Sequence, residues 1–120
     1  MVMTYLFVYG TLKRAFREDE TLGAEFIGKY ETDDRWILFD FGSYPALIPG
    51  DSVVKGEVWK VPEDTLDKID RYEGQQFTRR DIQVRYTEEG IHGGWEWVET
   101  YLFTNTTALL NDHNLCTTWD

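Results

Sequence analysis

Between Val53 and Gly74 the chain reads "VVKGEVWKVPEDTLDKIDRYEG", and the change of pattern inside that stretch decides the fold class. Its first part, Val53–Val61, is rich in β-branched and aromatic side chains and predicts a strand. Gly56 lies inside it, and a strand glycine marks a bulge or a close backbone approach. Pro62–Gly74 then predicts a helix. Pro62 suits its opening, Glu63 and Asp64 suit its first turn, and Gly74 is a natural stop.

Working outward, strands are expected at Tyr5–Tyr9, "AEFIGKYET" (24–32), "RWILFDF" (35–41), "TRRDIQVRYT" (78–87) and "WEWVETYLFT" (95–104). Trp95 and Trp97 fall on one side of the last of these. The five tryptophans are expected in the core or on a sheet face. Gly42–Asp51, "GSYPALIPGD", is dense in turn formers and is read as a loop or irregular edge. Glu88–Gly94, "EEGIHGG", is read as a turn that exposes His92. Lys13–Glu20, "KRAFREDE", is a charged loop or the start of a short helix, and Asn105–Asp120 is polar and unassigned. Six or seven strands with one good helix predict an α+β fold with a curled, largely antiparallel sheet. One domain over residues 1–120 is expected.

Composition narrows the function classes. Hydrophobic residues are 42% of the chain and aromatics 16%, which excludes intrinsic disorder. Twenty-two acidic against twelve basic side chains give a formal net charge of −10, which repels phosphate backbones and anionic membranes. Nucleic acid and membrane are therefore not expected partners. The single cysteine, Cys116, forms no internal disulfide and fits a reducing compartment. The first apolar run, Tyr5–Tyr9, is too short for a signal or a membrane span, so a cytoplasmic location is expected.

One side chain breaks the helix pattern. On a wheel of about 100° per residue with Leu66 at zero, Ile69 falls near −60° and Glu73 near −20°. Glu73 thus lies in the apolar arc, whereas Glu63, Asp64, Asp67 and Asp70 lie outside that gap and read as solvated faces. A core-facing carboxylate in a last helical turn is disfavoured by desolvation and by the dipole, and both raise its pKa. That is what a general base near neutral pH needs. The alternatives are a Glu73 that reaches out to solvent, or one paired with Arg79 or Arg80.

Other candidates are weaker. Ser43 lacks a nucleophile elbow, and nothing activates Cys116, although His113 stands three residues away. Two scattered histidines and one cysteine make no metal site, so no metal or cofactor is expected. Glu57 is either a second inward carboxylate or one that faces solvent or an arginine. "YLFVYGTLK", Tyr5–Lys13, ends a strand in a sharp turn. That turn is either a plain bend or a loop whose N–H groups hold an anion.

Taken together, "VYGTLK", "YPAL", "GEVWKV", "LDKIDRYEG" and "FTRR" resemble the gamma-glutamyl cyclotransferase superfamily, in order from Tyr5 to Val84 with a closing strand at "ETYLF". The chain is most similar to the branch that includes gamma-glutamylamine cyclotransferases. Phe77 stands where many relatives carry Tyr. The resemblance implies a small mixed, mostly antiparallel β-barrel with a few peripheral helices and a site in a side cavity. It implies that Tyr9, Gly10, Thr11 and Leu12 bind the substrate's glutamyl carboxylate through backbone N–H groups, and that Glu73 is the general acid/base. The expected substrate is a gamma-glutamyl amide, closed to 5-oxoproline by its own α-amine, in a monomer or weak homodimer. The alternative is a non-catalytic small-ligand-binding or partner-binding domain of the same fold.

Overall fold

The computed structural model describes residues 2–88, 91–104 and 114–119. Strand β1 (Met3–Val8) leads into helix α1 (Thr11–Glu18) and a 3-10 turn at Glu20–Leu22. Strands β2 (Glu25–Thr32), β3 (Trp36–Asp40), β4 (Pro45–Pro49) and β5 (Lys55–Pro62) follow. Helix α2 (Glu63–Glu73) and a 3-10 turn (Gly74–Gln76) lead to β6 (Phe77–Glu88), β7 (Ile91–Phe103) and β8 (Leu115–Cys116).

The strand order is β1-β5-β2-β6-β7, and β7 returns to β1 through a parallel pairing of Leu6 with Glu99, which closes a five-stranded barrel. The order continues from β7 through β4 and β3 to β8 as a flap on the barrel's side. Most pairings are antiparallel; β1–β7 and β4–β7 are parallel. The expected fold class is the observed one.

The alternating faces of β1 explain its unbroken apolar run. Phe7 points into the barrel interior with Tyr30, Val58, Ile82 and Val98. Leu6 and Val8 point outward into a second cluster, where Phe16 of α1 and Leu66 and Ile69 of α2 cover them. A strand buried on both faces carries no polar alternation. Gly74 ends α2 at φ +67°, a left-handed conformation that glycine adopts without a side-chain clash.

Several expectations are corrected. Gly42–Asp51 is not simply a loop, because Ala46, Leu47 and Ile48 are buried in β4 between β3 and β7. Its two prolines bracket the strand, where their missing N–H groups cost least. Lys13–Glu20 is mostly helix, and that helix begins earlier, at Thr11. The stretch expected as a turn, Glu88–Gly94, is partly strand: β6 runs to Glu88 and β7 starts at Ile91, with His92 exposed and paired in register with Thr87. Trp95 and Trp97 take the second of their expected placements, on an exposed sheet face. Within the unassigned tail, Leu115–Cys116 adds a strand to β3, while residues 105–113, which include His113, lie outside the described residues. Among the described residues, no helix is long and apolar enough to cross a membrane.

Candidate active site

A cavity of about 550 Å³ opens at the side of the barrel. Its walls come from the end of β1, the start of α1, the segment entering β4, the last turn of α2 and the start of β6. All five residues singled out from the sequence, Tyr9, Gly10, Thr11, Leu12 and Glu73, line it.

The tetrad is a strand-to-helix junction rather than a free loop. Gly10 is the residue before α1, and no side chain caps the helix there. Lys13 N–H bonds back to the Gly10 carbonyl at 3.0 Å. The N–H groups of Thr11 and Leu12 belong to the first turn, whose donors have no acceptor within the helix. No acidic residue stands in that turn to neutralise its partial positive charge. Such an end accepts a carboxylate.

Packing requires a glycine at position 10. A methyl group added there would meet Pro45 Cγ at 2.5 Å. The space beside Gly10 is thus filled by the first residue of β4, which locks the flap against the junction.

Tyr9 is buried, and its hydroxyl donates to the Tyr101 carbonyl at 2.7 Å. Burial pushes its phenol up, a Leu47 backbone hydrogen bond opposes this, and the charge of Glu73 adds to the rise. Tyr9 therefore fixes the end of β1 to β7, and only its remaining surface faces the cavity.

Glu73 is half-buried at the end of α2. Desolvation holds its carboxyl above the usual carboxylate range. Among the described residues no side chain forms an ion pair or hydrogen bond with it. The pairing alternative does not hold: Arg79 binds Asp70 and Glu99, and Arg80 is exposed and donates to the Arg79 carbonyl. Among the described residues no lysine or arginine side chain lines this cavity. Ser43 lines it, whereas Cys116 sits on β8 with its thiol pushed up by burial, the opposite of an activated thiolate.

Asp70 reads differently from the sequence expectation, and Glu57 takes one of its expected alternatives by facing an arginine. Asp70 is half-buried and not a free solvated acid. It takes a forked pair of bonds from Arg79 (Nε to Oδ1 2.8 Å, Nη2 to Oδ2 3.0 Å) and the Tyr101 hydroxyl at 2.5 Å. Tyr101 itself lines the cavity. Spacing along the chain did not mark Asp70 for this role, because Arg79 and Tyr101 reach it only when the barrel closes. Glu57 is buried and takes two bonds from Arg17, at 2.8 and 2.7 Å, and one from Trp59 Nε1 at 3.0 Å. Arg17 thereby ties the far end of α1 to β5, and with it the orientation of the α1 N-terminus.

Residues 6–120 match the model of the family described as "Gamma-glutamyl cyclotransferase, AIG2-like". A putative gamma-glutamylcyclotransferase of Vibrio cholerae is 34% identical over 110 residues, spanning 89% of this chain and 90% of that protein. The gamma-glutamylaminecyclotransferase of Rattus norvegicus is 34% identical over 119 residues, spanning 88% and 80%. The crystal structure of an AIG2-like protein from mouse superposes with a TM-score of 0.74 at 27% identity, covering 95% of this chain and 88% of that one. The chain therefore belongs to the AIG2-like gamma-glutamyl cyclotransferase family.

Proposed function

We propose that this protein is a gamma-glutamyl cyclotransferase: it closes a gamma-glutamyl amide to 5-oxoproline and releases an amine. The observation that carries the reading is the pairing, in one cavity, of an uncapped helix N-terminus with an unpaired, half-buried carboxylate. The N–H groups of Thr11 and Leu12 hold the substrate's α-carboxylate. Glu73 takes a proton from the α-ammonium, and the freed nitrogen attacks the γ-carbonyl carbon. Glu73 then returns that proton to the leaving nitrogen as the γ-carbon–nitrogen bond breaks. Two protons leave the glutamyl nitrogen as the ammonium becomes a lactam N–H: Glu73 passes the first to the leaving nitrogen, then takes the second from the ring nitrogen and hands it to the released amine, which departs as an ammonium, so no water is consumed and the carboxylate is regenerated.

The chemistry asks for holding and for proton transfer, not for a protein nucleophile. A well-oriented intramolecular attack gains effective molarities of order 10⁵–10⁸ M. The single acid/base adds about 10²–10⁴-fold. The raised pKa suits Glu73 to both proton transfers near neutral pH. The test is release of 5-oxoproline from gamma-glutamyl amides by the wild type and by Glu73→Gln. The expected result is turnover by the wild type and a loss of at least about a hundredfold in kcat for the variant. Equal rates would end the assignment. Saturable binding without turnover in the wild type would mark a binding domain instead.

A further inference from the structure

The last turn of α2 has no apolar anchor of its own. The helix packs through Thr65, Leu66 and Ile69, and no residue from Asp70 to Gln76 is buried. Tyr72, next to Glu73, is 84% exposed. Helix ends of this kind open to solvent easily, because few buried contacts hold them. Yet Glu73 must be held still to exchange a proton with a bound nitrogen.

Resting on the cyclotransferase reading above, we propose that Asp70, Arg79 and Glu99 form a positioning clamp that fixes the last turn of α2, and with it Glu73, against the barrel. Asp70 lies one helical turn before Glu73. Its two oxygens engage the guanidinium fork of Arg79 on β6, and Arg79 Nη1 reaches across to Glu99 on β7 at 3.0 Å. A forked arginine–carboxylate pair fixes orientation as well as distance, and lysine cannot reproduce it. The Tyr101 hydroxyl spends its only proton on Asp70, so the phenol is also fixed where it lines the cavity.

The clamp also isolates Glu73 electrically. Arg79 lies between Asp70 and Glu99 and is spent on both. Burial works against its charge, and the two carboxylates more than offset that. The titratable groups lining the cavity with Glu73 are Tyr9 at the end of β1, Tyr44 before β4, Tyr72 beside it on α2 and Tyr101 on β7. Burial raises both Tyr9 and Tyr101, so they stay neutral. Glu73 is the carboxyl among them, and burial raises it.

The test compares Arg79→Gln, Arg79→Lys and Asp70→Asn with the wild type. A misplacement of about 1 Å at a reacting group costs about 10²-fold in rate. Arg79→Gln is therefore expected to lower kcat about a hundredfold while KM, set at the α1 N-terminus, changes little. Arg79→Lys keeps the charge without the fork and recovers only part of the loss. A second readout needs no activity: the Glu73 carboxyl is titrated by NMR in all four proteins. Loss of the clamp opens the turn to water and moves the Glu73 pKa down toward its ordinary value. Asp70→Asn carries the test if Arg79→Gln does not fold. Wild-type kcat together with an unmoved Glu73 titration in the folded variants would overturn the clamp. If the wild type turns over no gamma-glutamyl amide, the cyclotransferase reading fails, and the NMR titration alone still upholds or overturns the positioning role.

Discussion

Replacing Glu73 by Gln should make the protein more stable, with a pH dependence that follows from the structure. An unpaired charged group buried in a fold costs upward of about 1–3 kcal/mol. Glu73 is only half-buried, so solvent screening cuts this to roughly 1 kcal/mol. The negative end of the α2 dipole adds about 0.3 kcal/mol or more. The sign follows from the direction of the pKa. Desolvation raises the folded carboxyl above its unfolded value, so the folded state prefers the protonated form. The Glu73 contribution to wild-type stability is therefore greatest below the unfolded pKa of about 4.3 and falls as pH rises through the folded pKa. Gln removes that loss. For a domain of 120 residues the unfolding entropy is about 0.25 kcal/mol per degree, so the gain of about 1–1.5 kcal/mol corresponds to about 4–6 °C in Tm. Thermal melts followed by circular dichroism from about pH 4 to pH 8.5 measure it. The two proteins should melt together at the acid end and separate as pH rises, to a plateau. A Gln variant that melts at or below the wild type near pH 8, or a difference that ignores pH, would show that Glu73 is solvated and would remove the physical basis of its role.

Three further outcomes follow from contacts around the site. Arg17→Met strands Glu57 beside Trp59 and should cost about 2 kcal/mol at neutral pH, below the figure of about 3–5 for a fully buried pair because the Arg17 side chain is 47% exposed. Burial works to raise the Glu57 carboxyl, and the Arg17 bonds overcome it, so it now stabilises above the unfolded pKa and that contribution fades as pH falls through the folded one. In the variant burial is opposed only by the Trp59 bond and the Lys13 charge, so this pH-dependent stabilisation shrinks, which denaturant titrations at several pH values would detect. Gly10→Ala drives a methyl to 2.5 Å from Pro45 Cγ and should cost about 1–3 kcal/mol. It should also raise KM by shifting the α1 N-terminus, and an unchanged KM would mean that this end does not bind the substrate. Tyr9→Phe leaves the buried Tyr101 carbonyl without its donor and should lower stability by about 1–2 kcal/mol, read from the denaturation midpoint.

The elements legible in the sequence are those whose signals are local. The α2 helix could be read because Pro62, Glu63, Leu66, Ile69 and Gly74 all lie within one stretch and obey one period. The same periodicity exposed Glu73, since one carboxylate in an apolar arc needs only its own helix to be recognised. The β4 strand was hidden because three buried residues between two prolines look like a turn until β3 and β7 flank them. Helix α1 was half-hidden because Phe16 is its only buried residue among charges.

Sequence by itself determined an α+β fold with a curled, largely antiparallel sheet, the place of the acid on α2 and the glycine junction after β1, because each rests on the periodicity or conformational freedom of neighbouring residues. Only the tertiary structure decided that Glu73 has no ion-pair partner among the described residues, that Asp70 and not Glu73 takes Arg79, and that Pro45 fills the space beside Gly10. Asp70 meets Arg79 across nine residues and Tyr101 across thirty-one. Which carboxylate takes the arginine is a competition between charges brought together by barrel closure, and spacing along the chain carries no record of its outcome.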